Sequence, residues 1–256
     1  MAIHYSCHDC GIDIEGDDLQ RFGDAFIAHV RGAHPDWPYP DVAIRNFAEA
    51  TQRLTGPREH LTTIGAITIR PVDEQCLEDW LDLFDHRAFV DNPAWAACYC
   101  AEPHLRRPDM AGEDVEATSW RHNRQLMVER LRAGESFGYL ACVDAVAGGW
   151  VNASRRSQYT LYCQGPEAEP GDEDVVGVSC FVIAPPYRRH GLAGALLDRV
   201  IADAPQRGAR WVEAYPLKDI PPGDAGHFRG PRSLYDARGF EPVAERDRHV
   251  VVRLAL

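Results

Sequence analysis

Two cysteines and two histidines near the amino terminus have the types and spacing of a metal site. Cys7 and Cys10 are separated by two residues, and His29 and His34 lie near the end of a helix predicted to begin at about Asp17. Four thiolate and imidazole ligands suit tetrahedral zinc and leave no open position for water. The eighteen residues between Cys10 and His29 slightly exceed the usual zinc-finger spacing. We predict a structural zinc site, with reduced surface thiols and incidental histidines as the alternative.

A second candidate site follows a nearly unbroken apolar run from Val175 to Ala184. Such a run is typical of a strand buried on both faces. After Pro185-Pro186, the residues Arg188-Arg189-His190-Gly191-Leu192-Ala193-Gly194 open a predicted helix. Small residues let a ligand approach the backbone, and first-turn N–H groups have no partner within the helix and favour an anion. This stretch predicts a pyrophosphate site, and the alternative is an ordinary strand–turn–helix with glycine at a tight bend.

This strand and helix resemble the GNAT superfamily of acyl-CoA-dependent N-acyltransferases. Residues 188–193 satisfy its signature, (Gln/Arg)-x-x-Gly-x-(Gly/Ala), and the run from Tyr235 to Phe240 matches its second landmark, Tyr-x-x-x-Gly-Phe. The order of predicted elements over about residues 65–256 is also similar to that family. The resemblance implies an α/β (α+β) fold, in which a mixed central sheet with flanking helices is preceded by a small helical zinc-binding domain.

The resemblance also implies acetyl-CoA as cosubstrate and a role for each signature position. Phe181, Val182 and Ile183 would offer main-chain groups to the acetyl carbonyl and the pantetheine arm. The pyrophosphate would be cradled by the signature residues Arg188, Arg189, His190, Gly191, Leu192, Ala193 and Gly194. Tyr235 would be the general acid that protonates the departing thiolate, and its alternative is a core tyrosine at a helix end. Many members have glycine where Arg189 stands, and many have an asparagine that Phe228–Pro231 lacks.

The general base and the acceptor contacts are predicted from residue type and position. Glu213, on the strand after the signature helix, is the candidate base, and its alternative is a solvent-facing or arginine-paired acid. Trp95 and Tyr99 could form an aromatic wall for an amine, although plain packing fits them equally. Asn152 could hydrogen-bond the acceptor or satisfy a loop. Cys180 is predicted to be a small buried hydrophobe and not a nucleophile.

These residues must be positioned by two units joined near Gly56-Pro57, a helix stop. Residues 1–60 form the predicted zinc-binding domain with its linker helix, and residues 61–256 form the acetyltransferase domain. The hydrophobic spacing predicts the following elements in the second unit: a strand at 64–70, helices at 73–89 and 113–133, a strand pair at 137–143 and 146–153, a surface loop at 164–174, the buried strand, the signature helix, a strand at 210–215, a short helix at 233–238 and a strand pair over 240–256.

The amino-acid composition limits the classes of molecule that this protein is expected to bind. The 256 residues are 45% hydrophobic and carry a formal net charge of −12, which argues against a sequence-independent grip on nucleic acid or anionic lipid. Residues 1–60 alone hold five arginines against ten acids, which disfavours a DNA-reading finger. No apolar run approaches the roughly 20 residues of a membrane span, and no signal peptide is evident. We therefore expect a cytoplasmic protein with reduced thiols.

The sequence thus predicts an N-acetyltransferase that moves an acetyl group from acetyl-CoA to a primary amine of a small molecule or a protein. The alternative is a non-catalytic acyl-CoA-binding regulatory protein that acts through its zinc module. In either case the amino-terminal unit could dock a protein partner or pack against the second unit.

Overall fold

The computed structural model describes residues 3–7, 10–37, 39–105, 119–160, 174–220 and 223–256. The first part of the predicted helix at 113–133 and nearly all of the predicted loop at 164–174 therefore lie outside the described residues. Within the described residues, no helix combines the length and apolarity that crossing a bilayer requires.

The amino-terminal unit is a hairpin followed by two helices. Strands β1 (Ile3–Ser6) and β2 (Asp13–Gly16) pair antiparallel. Helix α1 (Leu19–Ala33) packs on them, and helix α2 (Asp41–Thr51) packs on α1. The Asp18 side chain caps α1 by accepting a hydrogen bond from the Arg21 N–H at 2.8 Å. The hairpin was not predicted, because two four-residue strands carry too little alternation to stand out from their loops. The unit is therefore not purely helical, and its small core contains Ile14, Phe22, Phe26, Val30, Ile44 and Ala48.

The second unit is built on a seven-stranded mixed sheet in the order β3-β4-β5-β6-β7-β9-β8. The strands are β3 (Ile67–Pro71), β4 (Phe137–Val143), β5 (Val146–Arg155), β6 (Val175–Ile183), β7 (Trp211–Ala214), β8 (Glu241–Glu245) and β9 (Val250–Ala255). Only the β6–β7 pair is parallel, and the other neighbouring pairs are antiparallel. The predicted mixed α/β fold is confirmed.

Helices cover both faces of this sheet. They are α3 (Leu77–Asp82), which continues into a π-helical turn at Leu83–Arg87, α4 (Trp120–Arg132), α5 (Leu192–Asp203) and the short α6 (Arg232–Asp236). One core packs Trp80, Phe84 and Trp150 beneath α3, and the other packs Leu196 and Val200 of α5 on the opposite face. Burial on both faces explains why β4, β5 and β6 are apolar runs without alternation.

The sheet opens between β6 and β7. The two strands pair only from Val175 to Val178 on β6, while β6 itself continues to Ile183. The β5–β6 register also shifts between Asn152 and Ala153, so that Ser179 is the extra residue of a bulge. Beyond Val178 the edge of β6 facing β7 has no neighbouring strand, and a cleft begins there.

Candidate active site

A cavity of about 1410 Å³ occupies this cleft. Its walls come from the end of β6, the start of α5, the segment 88–103, the segment 224–234 and the amino-terminal unit. The signature region and a chain segment that precedes α4 thus line the same cavity.

The start of α5 presents free backbone donors to the cavity. Gly191 is the amino-terminal cap with φ 82°, and the first helical bond is donated by the Ala195 N–H to the Gly191 carbonyl at 3.0 Å. The N–H groups of Leu192, Ala193 and Gly194 therefore precede the hydrogen-bonded part of the helix, and all three residues line the cavity. No acidic side chain lies in the first turn, so the positive end of the helix is available to an anion such as a pyrophosphate.

The charged side chains of the signature make contacts that hold the loop between β6 and α5 in place. Arg188 pairs with Asp91 and donates to the Ile183 carbonyl at 3.0 Å, and Arg189 pairs with Asp224. His190 contacts the Leu61 carbonyl through Nε2 at 2.7 Å and does not line the cavity. Arg189 has φ 63°, the left-handed region that favours glycine, which accounts for the glycine that related signatures carry there.

Strand β6 carries two hydrogen-bond donors at the cavity, one without a described partner and one with a partner. Ser179 is 2% exposed and lines the cavity, and its hydroxyl has no hydrogen-bond partner among the described residues. The Phe181 N–H, which was predicted to serve the acetyl group or the pantetheine arm, donates to the Phe228 carbonyl at 2.5 Å. A ligand can use the Phe181 N–H only if Phe228 withdraws. Val182 and Ile183, which were predicted to contact the cofactor, line the cavity.

Thiol groups contribute to the cavity lining together with Ser179. Cys98, Cys100 and Cys180 all line the cavity, and each is a free cysteine. Burial raises the pKa of Cys98 to about 12, and the neighbouring Cys180 and Glu102 contribute in the same direction. Cys98 is therefore protonated at neutral pH and is a poor nucleophile.

The cavity lining also includes aromatic rings and a carboxylate. Trp95 meets Phe228 edge to face, with ring centroids 5.1 Å apart, and both rings line the cavity. Glu102 also lines it and is half-buried, and no hydrogen bond or ion pair joins its carboxylate to another described residue. Sequence analysis missed Glu102 because an isolated acid in a short 3₁₀ turn, Glu102–His104, gives no periodic signal.

Two predicted acceptor contacts lie outside the cavity lining. Tyr99 is fully buried, stacks on Phe84 with centroids 5.6 Å apart, and its hydroxyl bonds to Asp85 and Arg53. Asn152 is also fully buried and donates to the Cys100 carbonyl at 3.0 Å. Both side chains hold the segment that carries the cavity-lining cysteines, and neither lines the cavity itself.

The two predicted catalytic residues are also buried outside the lining. Tyr235 is fully buried, and its hydroxyl donates to the Arg229 carbonyl at 2.5 Å. Glu213 has no exposed surface. Its oxygens lie 2.5 Å from Arg253 Nε and 3.2 Å from Arg156 Nε, and the Tyr215 hydroxyl donates to it at 2.8 Å. The arginine-paired alternative for Glu213 is the arrangement found. Arg253 and the Tyr215 hydroxyl donate to its carboxylate and Arg156 lies at ion-pair distance, so the oxygens that a general base would need are engaged.

The four predicted zinc ligands converge in the amino-terminal unit. Donor atoms of Cys7, Cys10, His29 and His34 all lie within 4.8 Å of one another. Cys7 Sγ is 3.3 Å from His34 Nε2, and Cys10 Sγ is 3.6 Å from His29 Nε2. A tetrahedral zinc with ordinary Zn–S and Zn–N bonds places sulfur and nitrogen about 3.5 Å apart, so the cluster fits this metal. Burial and the charge of His34 lower the pKa of His29, which favours the neutral imidazole that a metal requires.

Comparisons with known proteins found one family match and similar solved structures. Residues 107–219 match the model of the acetyltransferase (GNAT) family. No curated protein matches the chain. Among solved structures, the chain is similar to the GNAT domain of S. lividans PAT (TM-score 0.46, 18% identity, 75% of this chain and 92% of that chain) and to PaiA N-acetyltransferase from Thermoplasma acidophilum in complex with coenzyme A (TM-score 0.45, 13% identity, 75% and 99%). The fold is the mixed α/β GNAT fold, and the family match supports acyl transfer as the general chemistry.

Proposed function

We propose that this protein is an N-acetyltransferase that uses acetyl-CoA and transfers the acetyl group directly to a primary amine. The observation that carries the proposal is the single cavity that joins the free amides of α5 to a half-buried carboxylate, Glu102, and aromatic rings. The amides suit the pyrophosphate of the cosubstrate, and the carboxylate with Trp95 suits a cationic amine.

In this proposal the amine nitrogen attacks the thioester carbonyl carbon, a C–N bond forms, and the C–S bond breaks. Glu102 accepts the proton that the amine must lose, directly or through water, and replaces Glu213 as the candidate base. Ser179, whose buried hydroxyl lacks a described partner, lies two residues before the first predicted thioester-binding residue and can donate to the developing oxyanion. The protonated Cys98 supports attack by the amine itself over a covalent enzyme intermediate.

Tyr235 remains the proposed general acid for the thiolate, on the strength of the family landmark. Its hydroxyl would exchange the Arg229 carbonyl for the leaving sulfur, and this exchange requires a shift of the adjacent 229–231 segment. We expect Tyr235→Phe to lower kcat by about 10²-fold and to leave the acetyl-CoA Kd unchanged. The matched control is Tyr215→Phe, which loses a buried hydroxyl contact to Glu213 and should reduce stability without this loss of kcat. Equal kcat in Tyr235→Phe and the wild type would remove Tyr235 from the mechanism.

The Cys/His cluster is proposed to hold one structural zinc. Its four protein ligands complete a tetrahedron, so zinc would stabilise the small amino-terminal core and would not activate water. Elemental analysis of the purified chain should give one zinc per molecule, and Cys10→Ser should lower that content.

The first experiment is calorimetric titration of the zinc-loaded chain with acetyl-CoA, followed by a thiol-release assay with phenethylamine, tryptamine, spermidine and a lysine peptide. We expect saturable binding and amine-dependent thiol release. Glu102→Gln should lower kcat/KM by about 10²-fold while binding persists. Asp247→Asn, which alters an exposed acid of the same cavity, is the control and should change kcat/KM only slightly. Saturable binding without thiol release from any amine would favour the non-catalytic acyl-CoA-binding regulator.

A further inference from the structure

The amino-terminal unit contributes residues to the cavity that contains Trp95, a proposed contact of the acceptor. Tyr39, which precedes α2, and Phe47, within α2, both line the cavity together with Trp95 and Phe228. Phe47 also packs against the main core beneath α3. The unit is therefore part of the cavity wall, in addition to carrying the Cys/His cluster.

A continuous series of aromatic contacts connects the cluster to this wall. The His34 ring stacks on Trp37 with centroids 5.4 Å apart and an interplanar angle of 27°. Trp37 meets Tyr39 edge to face at 6.2 Å, and Tyr39 meets Phe47 edge to face at 5.5 Å. Aromatic pairs in these geometries are attractive beyond their buried area, so each ring restricts the next.

Arg31 fixes the backbone that carries these rings. Its guanidinium donates to the Tyr39 carbonyl at 2.7 Å and to Asp41 Oδ1 at 2.7 and 3.0 Å. Arg31 lies in the last turn of α1, between the candidate ligands His29 and His34. The positions of Tyr39 and Asp41 thus depend on the end of α1, where His29 and His34, two of the four candidate metal ligands, also lie.

The wall itself indicates the kind of acceptor. Tyr39, Phe47, Trp95 and Phe228 present rings to a cavity that also contains the carboxylate of Glu102. An ammonium group is attracted both to a carboxylate and to ring faces, whereas an apolar substituent gains from burial against the rings. A primary amine with an aromatic or apolar substituent meets both requirements better than a polyamine does.

We infer that the amino-terminal unit is one wall of the acceptor site for such an amine, and that metal bound by the Cys/His cluster holds this wall through His34, Trp37 and Tyr39. This inference rests on the proposed transferase function. Trp37 is accordingly a positioning residue, since it reaches the cavity only through Tyr39.

The test combines amide hydrogen exchange with kinetics on the full, zinc-loaded chain. Trp37→Leu keeps an apolar side chain but removes the stack on His34, so it should retain one zinc per chain. We expect exchange in residues 39–47 to rise about tenfold, the size of effect that loss of one or two aromatic pairs produces, while exchange in α5 stays unchanged. Removal of zinc by a chelator should raise exchange in residues 39–47 at least as much.

In the kinetic arm, the KM for phenethylamine should rise about tenfold in Trp37→Leu, with the KM for acetyl-CoA and kcat close to wild type. Val42→Ala, which alters a side chain of α2 that is 49% exposed, is the control. It should leave amide exchange in residues 39–47 and the KM for phenethylamine unchanged. Unchanged exchange and unchanged phenethylamine KM in Trp37→Leu would overturn the coupling between metal and wall.

The outcomes separate this inference from the proposed function. Thiol release with spermidine but not with phenethylamine or tryptamine would overturn the aromatic or apolar acceptor class while the transferase function stood. If no amine releases thiol, the transferase function fails, and the exchange arm still decides whether the metal holds the 39–47 wall.

Discussion

The surroundings of each side chain decide what the candidate residues of this protein can do. Tyr99 was a candidate for the aromatic wall, but its hydroxyl lies between Arg53 and Asp85, and burial is the main cause that raises its pKa. Burial alone would raise the pKa of Asp85, but hydrogen bonds from Arg124 and Tyr99 and the charges of Arg124 and Arg53 lower it overall. Such a network holds structure in place and leaves no free group for an acceptor.

His104 provides a pH-dependent test at the residue scale. Its Nδ1 contacts the Gln158 carbonyl at 3.0 Å and its Nε2 contacts the Ser136 hydroxyl at 3.2 Å. Burial, followed by the charge of Arg130, lowers its pKa from 6.5 to about 3. Between these values the unfolded state binds a proton that the folded state does not, so stability falls as pH falls below about 6.5.

We expect the free energy of unfolding to decrease by about 2 kcal/mol between pH 7.5 and pH 5 because of His104. The measurement is urea denaturation at both pH values for the wild type and for His104→Gln, which does not titrate. The variant should be less stable at pH 7.5 but should lose about 2 kcal/mol less on acidification. An equal loss in both proteins would show that His104 is not responsible.

At the element scale, the start of α5 is set by backbone conformation. The cap at Gly191 has φ 82°, and a Cβ atom there would have no heavy atom within 4 Å. The glycine is therefore required by conformation and not by crowding within the chain. The sequence predicted this helix start, because small residues after a buried strand are visible without tertiary structure.

Gly191→Ala should destabilise the chain by about 1 kcal/mol and weaken acetyl-CoA binding about tenfold, because a methyl group would lie beside the free amides. Gly134→Ala is a close control: Gly134 follows α4, has φ 67°, and likewise has no heavy atom within 4 Å of an added Cβ. The Gly134→Ala variant should lose a similar amount of stability and bind acetyl-CoA with the affinity of the wild type. Calorimetric titration and urea denaturation of both variants provide the comparison, and equal acetyl-CoA affinity in the two would argue against a phosphate at α5.

At the scale of the whole molecule, the two predicted units are joined by charged contacts. Arg53, just after α2, lies 2.6 Å from Asp85 and places its guanidinium 3.9 Å from the centre of the Trp120 ring. Arg121 pairs with Glu49 of α2 at 2.7 Å. Helix α2 therefore packs against the second unit. The predicted boundary near residue 60 separates two sequence patterns, but contacts cross it.

Arg53→Met should lower the free energy of unfolding by about 2 kcal/mol, since it breaks a largely buried ion pair while Arg124 still compensates Asp85. The side chains of Arg53 and Asp85 are 18% and 13% exposed, whereas those of Arg45 and Asp24 are 34% and 58% exposed. Arg45→Met is therefore the control and should cost less than about 1 kcal/mol. Comparable losses in the two variants, measured by urea denaturation, would contradict a stabilising junction at Arg53.

The sequence by itself determined the features that depend on neighbouring residues along the chain. The apolar run of β6, the glycine at the start of α5 and the paired cysteines and histidines predicted the sheet, an anion site and a metal cluster because each pattern is local or nearly so. Tertiary structure decided which side chains share the cavity. Phe47, Glu102 and Ser179 line it together although they are far apart in the sequence, and no residue spacing predicts that they meet. Glu213 does not line it, and Arg156 and Arg253, from elements distant in sequence, pair with its carboxylate instead.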